Sequence, residues 1–300
     1  MNADSRPVSS FRPLPVARNV EELRSRVAEY RRGAERIGLV PTMGALHAGH
    51  LALVERARQT CDRVVATVFV NPKQFDRPDD LAAYPREEAR DAGALANAGC
   101  DLLFAPPPAV MYPDSFATSV RVGRVTETLE GAHRPGHFEG VATVVTKLLL
   151  QALPDVGFFG EKDYQQLLTI RQLVQDLDIP VTIEGVPTVR ESDGLALSSR
   201  NSNLDPRQRE MAPALARVLH RTAATLATSD AEATRAIEEA ERDLRMAGFD
   251  AVDYVALRDT RTFAPVERVT GPARLLAAAW LGPTRLIDNV PVWAESDRMG

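Results

Sequence analysis

Apolar residues in this chain follow two rhythms that alternate as far as Val189. Short unbroken apolar runs stand at Ile37-Gly38-Leu39-Val40 and, rich in β-branched residues, at Val64 to Val70. Leu102-Leu103-Phe104, Val156-Gly157-Phe158-Phe159 and Val181 to Val189 repeat the pattern. Such runs predict buried parallel strands. Helical spacing lies between them. Leu51, Val54 and Ala57 share one face, Arg86 to Ala98 reads as a helix ended by Gly99, Val141 to Gln151 is apolar on most sides, and Tyr164 to Leu177 closes before Pro180. Strands and helices in alternation predict an α/β fold with a doubly wound parallel sheet. Such a sheet binds ligands at the carboxyl ends of its strands.

The rhythm changes after Asn201. Asp205-Pro206 is a helix start, with Asp as cap and Pro in the first turn, and the helix runs to about Leu226. A second begins at Ser229, with Glu232 placed for a capping box, and stops at Gly248. Asp253 to Leu257, Arg274 to Leu281 and Arg285 to Val290 read as strands, the last two joined by a turn at Gly282-Pro283. Helices followed by a small antiparallel sheet predict a smaller C-terminal α+β domain. The boundary falls near Val189 to Asp193, giving a first domain over 16–189 and a second over 190–300. Met1 to Pro15 and Glu295 to Gly300 are expected to be loosely ordered.

Composition narrows the partners. With 44% hydrophobic and 26% charged residues, the chain suits a soluble globular protein. A net charge of −5 argues against nucleic acid held by bulk electrostatics. No segment approaches the roughly 18 apolar residues of a membrane helix, and the N-terminus lacks the apolar core of a signal peptide. Cys61 and Cys100 are too few for a disulfide framework, so a cytoplasmic, reducing location is expected. Neither a Walker A loop nor GxGxxG is present, which removes support for P-loop kinases and Rossmann dehydrogenases.

The chemistry gathers at strand ends. In Pro41-Thr42-Met43-Gly44-Ala45-Leu46-His47-Ala48-Gly49-His50, Pro41 and Gly44 break the first strand and two histidines open the next helix. A helix N-terminus attracts anions, and neutral imidazoles there can donate to phosphate. The stretch resembles the HxGH signature of nucleotidyl-transferring α/β enzymes. Taken alone, the pair is explained equally well as a cap. With five His, two Cys and neither CxxC nor HExxH, zinc ligation is not favoured. Four further segments follow strands: Phe69 to Phe75, Arg134 to Gly140, Gly160 to Gln166 and Arg190 to Asn201. Lys162 is a point charge suited to phosphate, and Asp163 can accept from ribose hydroxyls or from metal-bound water. Ser198-Ser199-Arg200 suits a polyphosphate clamp. Each segment alone also reads as an ordinary solvated loop.

Taken together these segments, with Tyr84-Pro85-Arg86, resemble the pantoate–β-alanine ligase family, in the family's order and over most of 36–201. The resemblance implies a Rossmann-like fold of the HxGH nucleotidyltransferase type. It implies an ATP-dependent, AMP-forming ligase that condenses pantoate with β-alanine through pantoyl adenylate. Carried over, His47 and His50 hold the phosphates and stabilise the transition state. Lys162 neutralises the same phosphates, and Ser198, Ser199 and Arg200 clamp the β and γ groups. Pro41, Thr42, Met43 and Gly49 complete the ATP site. Gly160 and Asp163 meet the ribose, Asp163 also being the residue for Mg²⁺, and Val189 offers backbone to adenine. Gln74 and Gln166 bind pantoate, with Met43, Asn71, Tyr84 and His137 around it. The family also implies a homodimer paired through the N-terminal domain. Two departures stand out: Glu87 where Thr is usual, and Leu197 where Met is common. Asp91 is the acidic residue expected near β-alanine. The competing reading is a nucleotidyltransferase moving AMP or CMP onto a small acceptor. The paired Gln74 and Gln166, with no cation for an acceptor phosphate, speak against it.

Overall fold

The computed structural model describes residues 13–75, 81–82, 84–228 and 232–293. A six-stranded parallel sheet has the order β1-β4-β3-β2-β5-β6, from β1 (Val16–Ala17), β2 (Ile37–Thr42), β3 (Arg63–Val68), β4 (Leu102–Phe104), β5 (Val156–Gly160) and β6 (Thr182–Val186). Its helices are α1 (Val20–Arg32), α2 (Ala48–Thr60), α3 (Glu88–Asn97), α4 (His137–Ala152) and α5 (Tyr164–Asp176). Buried residues of α1, α4 and α5 form a core with one set of strand side chains, and α2 and α3 form a second core with the other set. This is the doubly wound arrangement that the alternating pattern predicts.

Local differences have local causes. β2 does not stop at Pro41 but runs to Thr42, paired residue by residue with β3. Its ladder with β5 ends at Leu39, so a residue without an N–H is tolerated beyond that point. β1 is too short to show a pattern. It pairs with β4, and the Pro15 carbonyl accepts the Leu103 N–H at 2.9 Å, so order begins before residue 16. Residues 1–12 lie outside the described residues. Helix α1 buries only Leu23 and Val27 beneath a charged surface, a stripe too thin to signal from sequence.

The C-terminal part has a three-stranded antiparallel sheet, β7 (Ala251–Asp259), β8 (Ala273–Leu281) and β9 (Thr284–Val292), in the order β7-β8-β9. The expected helix from Pro206 to Leu226 is two helices, α6 (Pro206–Met211) and α7 (Ala214–Leu226). Pro213 lacks the N–H that would carry one through. Helix α8 (Ala233–Met246) starts later than the expected Ser229, which lies outside the described residues, as does the tail from residue 294. The sheet has two buried faces. Val255, Leu257, Leu275 and Ala277 pack on α7 and α8, whereas Ala256 and Leu276 belong to the core of the parallel sheet. The second sheet is therefore built onto the first.

Candidate active site

The first corner joins β2 to α2. Gly44 sits at φ +83°, and a Cβ there would stand 2.8 Å from Asp91 Oδ2. The buried Asp91 carboxylate accepts the N–H groups of Ala45 (3.0 Å) and Leu46 (2.9 Å). Asp91 thus anchors this loop rather than facing a substrate, unlike the β-alanine-side place the sequence suggests for it.

His47 caps α2, its Nδ1 accepting the Gly49 N–H at 3.1 Å, and His50 Nδ1 accepts the His47 N–H at 3.4 Å. The ring centroids are 4.1 Å apart. Burial and then Lys162 lower the His47 pKa, while burial and then His47 push His50 down to about 3. Both rings are neutral at pH 7. A neutral imidazole carries one N–H, and with Nδ1 accepting, that proton sits on Nε2. The cap and the chemistry are therefore one arrangement. Reciprocal capping sets the tautomer, and each ring keeps an Nε2–H to donate.

The second corner follows β3. Asn71 is buried and saturated: its Oδ1 accepts from Tyr112 Oη (2.8 Å) and the Lys73 N–H (3.3 Å), and its Nδ2 donates to the Gly140 carbonyl (3.1 Å) and Gln74 Oε1 (2.9 Å). The last bond orients the Gln74 amide so that its NH₂ is the end left to donate. His137, first residue of α4, donates Nδ1–H to the Gln74 carbonyl at 2.8 Å and accepts from Arg134 at Nε2 (3.3 Å). Burial, then Arg134, pushes its pKa down to about 4, in keeping with that neutral tautomer. Gly140 lets α4 approach, since a Cβ would lie 2.1 Å from the Lys73 carbonyl oxygen. Asn71 and His137 hold Gln74 with the same polar groups they would need for a ligand.

The third corner follows β5. Lys162 Nζ lies 3.8 Å from Asp163 Oδ2. Burial opposes the Asp163 charge, but Lys162 and then Arg200 outweigh it and hold its pKa below the ordinary value. Gln165 turns inward, its amide bonded to Glu130 N–H, Val125 O and Thr128 O, which leaves Gln166 toward the cleft. At the fourth corner Ser198 Oγ accepts the Arg200 N–H at 3.2 Å, and the Val189 carbonyl already accepts from Leu197 N–H at 3.0 Å. Tyr84 Oη donates to the Gly44 carbonyl of the first corner at 3.4 Å, and burial raises its pKa while Ser199 and Arg200 of the fourth corner lower it.

All four corners open into one cleft of about 520 Å³. Pro41, Thr42, Met43, His47, Gly49, His50, Asn71, Gln74, Tyr84, His137, Gly160, Lys162, Asp163, Gln166, Val189, Ser198, Ser199 and Arg200 all line it. Leu197 lines it too, whereas Glu87 stands just before α3 without a capping bond and pairs with Arg90 at 2.7 Å. Sequence reasoning missed the C-terminal wall: Asp253, Trp280 and Arg285. Arg285 donates to Asp253 (2.6 Å) and to Glu130 (2.9 Å), which also accepts from Tyr254 Oη (2.8 Å). The available signal was a charged residue inside an apolar strand run.

Among the described residues no group of three His, Cys, Asp or Glu could hold a metal. Asp163 is the cleft carboxylate beside Lys162, since the other, Asp253, is already paired with Arg285. Mg²⁺ commonly binds through one or two carboxylates together with substrate phosphates and water. The donor set therefore fits a metal arriving with a nucleotide rather than a resident ion.

The family model for pantoate-beta-alanine ligase matches residues 15–291. The chain is 57% identical over 279 residues to a pantothenate synthetase of Cereibacter sphaeroides, covering 93% of this chain and 99% of that one. A pantothenate synthetase of Paramagnetospirillum magneticum is also 57% identical, over 92% and 97% of the two chains. The crystal structure of pantothenate synthetase from Thermus thermophilus superposes with a TM-score of 0.88 at 47% identity, over 93% of this chain and all of the other. That of the pantoate-beta-alanine ligase of Francisella tularensis, complexed with beta-gamma ATP and beta-alanine, gives 0.78 at 34%, over 92% and 97%.

Proposed function

This chain belongs to the pantoate-beta-alanine ligase family and is a ligase of pantoate and beta-alanine that uses ATP, and we propose that its cleft works through pantoyl adenylate. The observation that carries this reading is the neutral, Nε2-protonated pair His47 and His50 beside Lys162 in one cleft with Gln74 and Gln166.

In the first step a carboxylate oxygen of pantoate bonds to the α-phosphorus of ATP, and the bond to the bridging oxygen of pyrophosphate breaks. A carboxylate is already a nucleophile at pH 7, so no general base is needed. The step calls for alignment and for stabilisation of developing charge. His47 and His50 donate to the phosphates without adding charge. Lys162 supplies a cation, and Ser198, Ser199 and Arg200 hold the outer phosphates. Pro41, Thr42, Met43, Gly49, Gly160 and Val189 shape the nucleotide side. Gln74 and Gln166 hydrogen-bond pantoate, with Met43, Asn71, Tyr84 and His137 around it. In the second step the neutral amine of beta-alanine bonds to the acyl carbon, AMP leaves, and one proton is released. Mg²⁺ bound with ATP supplies further charge neutralisation, and Asp163 would hold it directly or through water.

The polypeptide divides at 189/190, the acidic, cysteine-poor chain works in the cytoplasm, and it forms a homodimer through the N-terminal domain. No helix of the described residues is long and apolar enough to cross a membrane. Sedimentation at micromolar concentration tests the dimer. For the reaction, pyrophosphate release from Mg-ATP is measured with pantoate and beta-alanine separately and together. Full turnover with both, and ATP–pyrophosphate exchange with pantoate alone, are expected. Turnover independent of pantoate would favour nucleotidyl transfer to another acceptor.

A further inference from the structure

The face of the C-terminal sheet turned to the parallel domain carries two buried polar side chains. Leu276, part of that domain's core, faces Asn289 across the β8–β9 ladder, and Arg274 lies two residues before Leu276 on the same face. Arg274 is 8% exposed and Asn289 3%. A charge so buried needs partners, and all of those described point the same way. Arg274 Nε donates to Asn289 Oδ1 at 2.6 Å, a terminal nitrogen donates to Glu161 Oε2 at 2.9 Å, and the guanidinium stacks 4.3 Å from the Tyr164 ring centroid. With Oδ1 taken, Asn289 presents Nδ2 to the turn after β5. It donates to the carbonyl of Glu161 at 3.0 Å and to that of Lys162 at 2.8 Å.

We propose that Asn289, oriented by Arg274, is a positioning residue for the Lys162 ammonium, so that the phosphate site is complete only with the C-terminal sheet docked on this turn. The proposal rests on the phosphate role of Lys162 given above. The physical reason is reach. A lysine nitrogen rides on four flexible carbons, and fixing both carbonyls at the root of that stem removes the backbone part of its freedom. Misplacement of a reacting group by an ångström costs on the order of a hundredfold.

Asn289→Asp tests this in the full chain, because it keeps volume and the Arg274 bond but turns a donor into an acceptor facing two carbonyl oxygens. Pyrophosphate release at saturating pantoate and beta-alanine is followed against ATP concentration. The expected result is kcat/KM for ATP lower by about 10- to 100-fold, with the pantoate KM and the circular dichroism spectrum unchanged. In a Lys162→Ala background the same change should cost less than about twofold, since the positioned group is gone. Parental ATP kinetics in Asn289→Asp beside an impaired Lys162→Ala overturns the proposal, as do multiplied losses in the double variant. Parental kinetics in Lys162→Ala overturns the phosphate role itself, and this proposal with it. Should Asn289→Asp not fold, Glu161→Gln keeps the shape and an acceptor for Arg274. About three- to tenfold lower kcat/KM for ATP is expected there, and unchanged kinetics overturns the proposal.

Discussion

The corner that opens α2 and the turn that carries Lys162 supply the same cleft but are built differently. His47 and His50 hold each other across three residues of sequence, through a local cap. The Lys162 turn is held by Asn289, 127 residues away. Arg285 reaches Glu130 across 155 residues. The first kind of site survives as a motif because its parts are neighbours. The second exists only where two sheets meet, and its stability and its chemistry are tied together.

The comparison can be broken at either end. The largest effect is expected at the local corner. His50→Ala removes one Nε2–H donor, and kcat should fall a hundredfold or more, about 3 kcal/mol of barrier, in a pyrophosphate-release assay. Loss of the cap should cost only about 1 kcal/mol of stability, so a folded, slow enzyme is the expected product. A fully active His50→Ala would reduce the pair to a cap.

Next comes the long-range end. Arg190 makes a two-pronged pair with the buried Asp288, at 2.6 and 2.9 Å. Asp288→Ala leaves that guanidinium without its carboxylate and should destabilise by about 3 kcal/mol in urea unfolding. An unchanged midpoint would mean that this pair adds nothing net to the fold.

His137 gives a pH test that joins the two. Its folded pKa is about 4, against an ordinary value near 6.5. Between these values the unfolded chain binds the extra proton, so stability must rise with pH across the window and fall on acidification through it. Full protonation below pH 4 costs about 3 kcal/mol. His137→Asn should flatten the urea midpoint between pH 6.5 and 4. A profile unchanged by that substitution would assign the acid sensitivity to other groups.

The smallest effect is expected far from the cleft. Asn19 caps α1, accepting the Glu22 N–H at 2.9 Å. Asn19→Ala should lower stability by about 1 kcal/mol and leave the kinetics alone. A kinetic defect there would show that α1 reaches the site.

Much of this molecule was legible before any fold was known. The apolar runs at Ile37, Val64, Leu102 and Val156 became adjacent strands, because a continuous apolar run of that length has few other ways to be buried. The polar segments at Pro41, Phe69, Gly160 and Arg190 converged on one cleft, because a parallel sheet brings all its carboxyl ends to one side, whereas Arg134 to Gly140 follows a short helix rather than a strand and joins the cleft at the start of α4. Short-range chemistry was legible as well: His47 with His50, and Asn71 with Gln74, are three residues apart. The tertiary structure alone decided the rest. It turned Asp91 into a loop anchor, tied Asn71 to Tyr112 and Gly140, and spent a ring nitrogen of His137 on the Gln74 carbonyl. It also brought Arg274, Asn289, Arg285 and Asp253 to the site from the second sheet. Asp91, Arg274, Asn289, Arg285 and Asp253 all find their partners at least fifteen residues away. A buried polar group must find one wherever the packing provides it, and the packing of one sheet against another is not written in any local pattern.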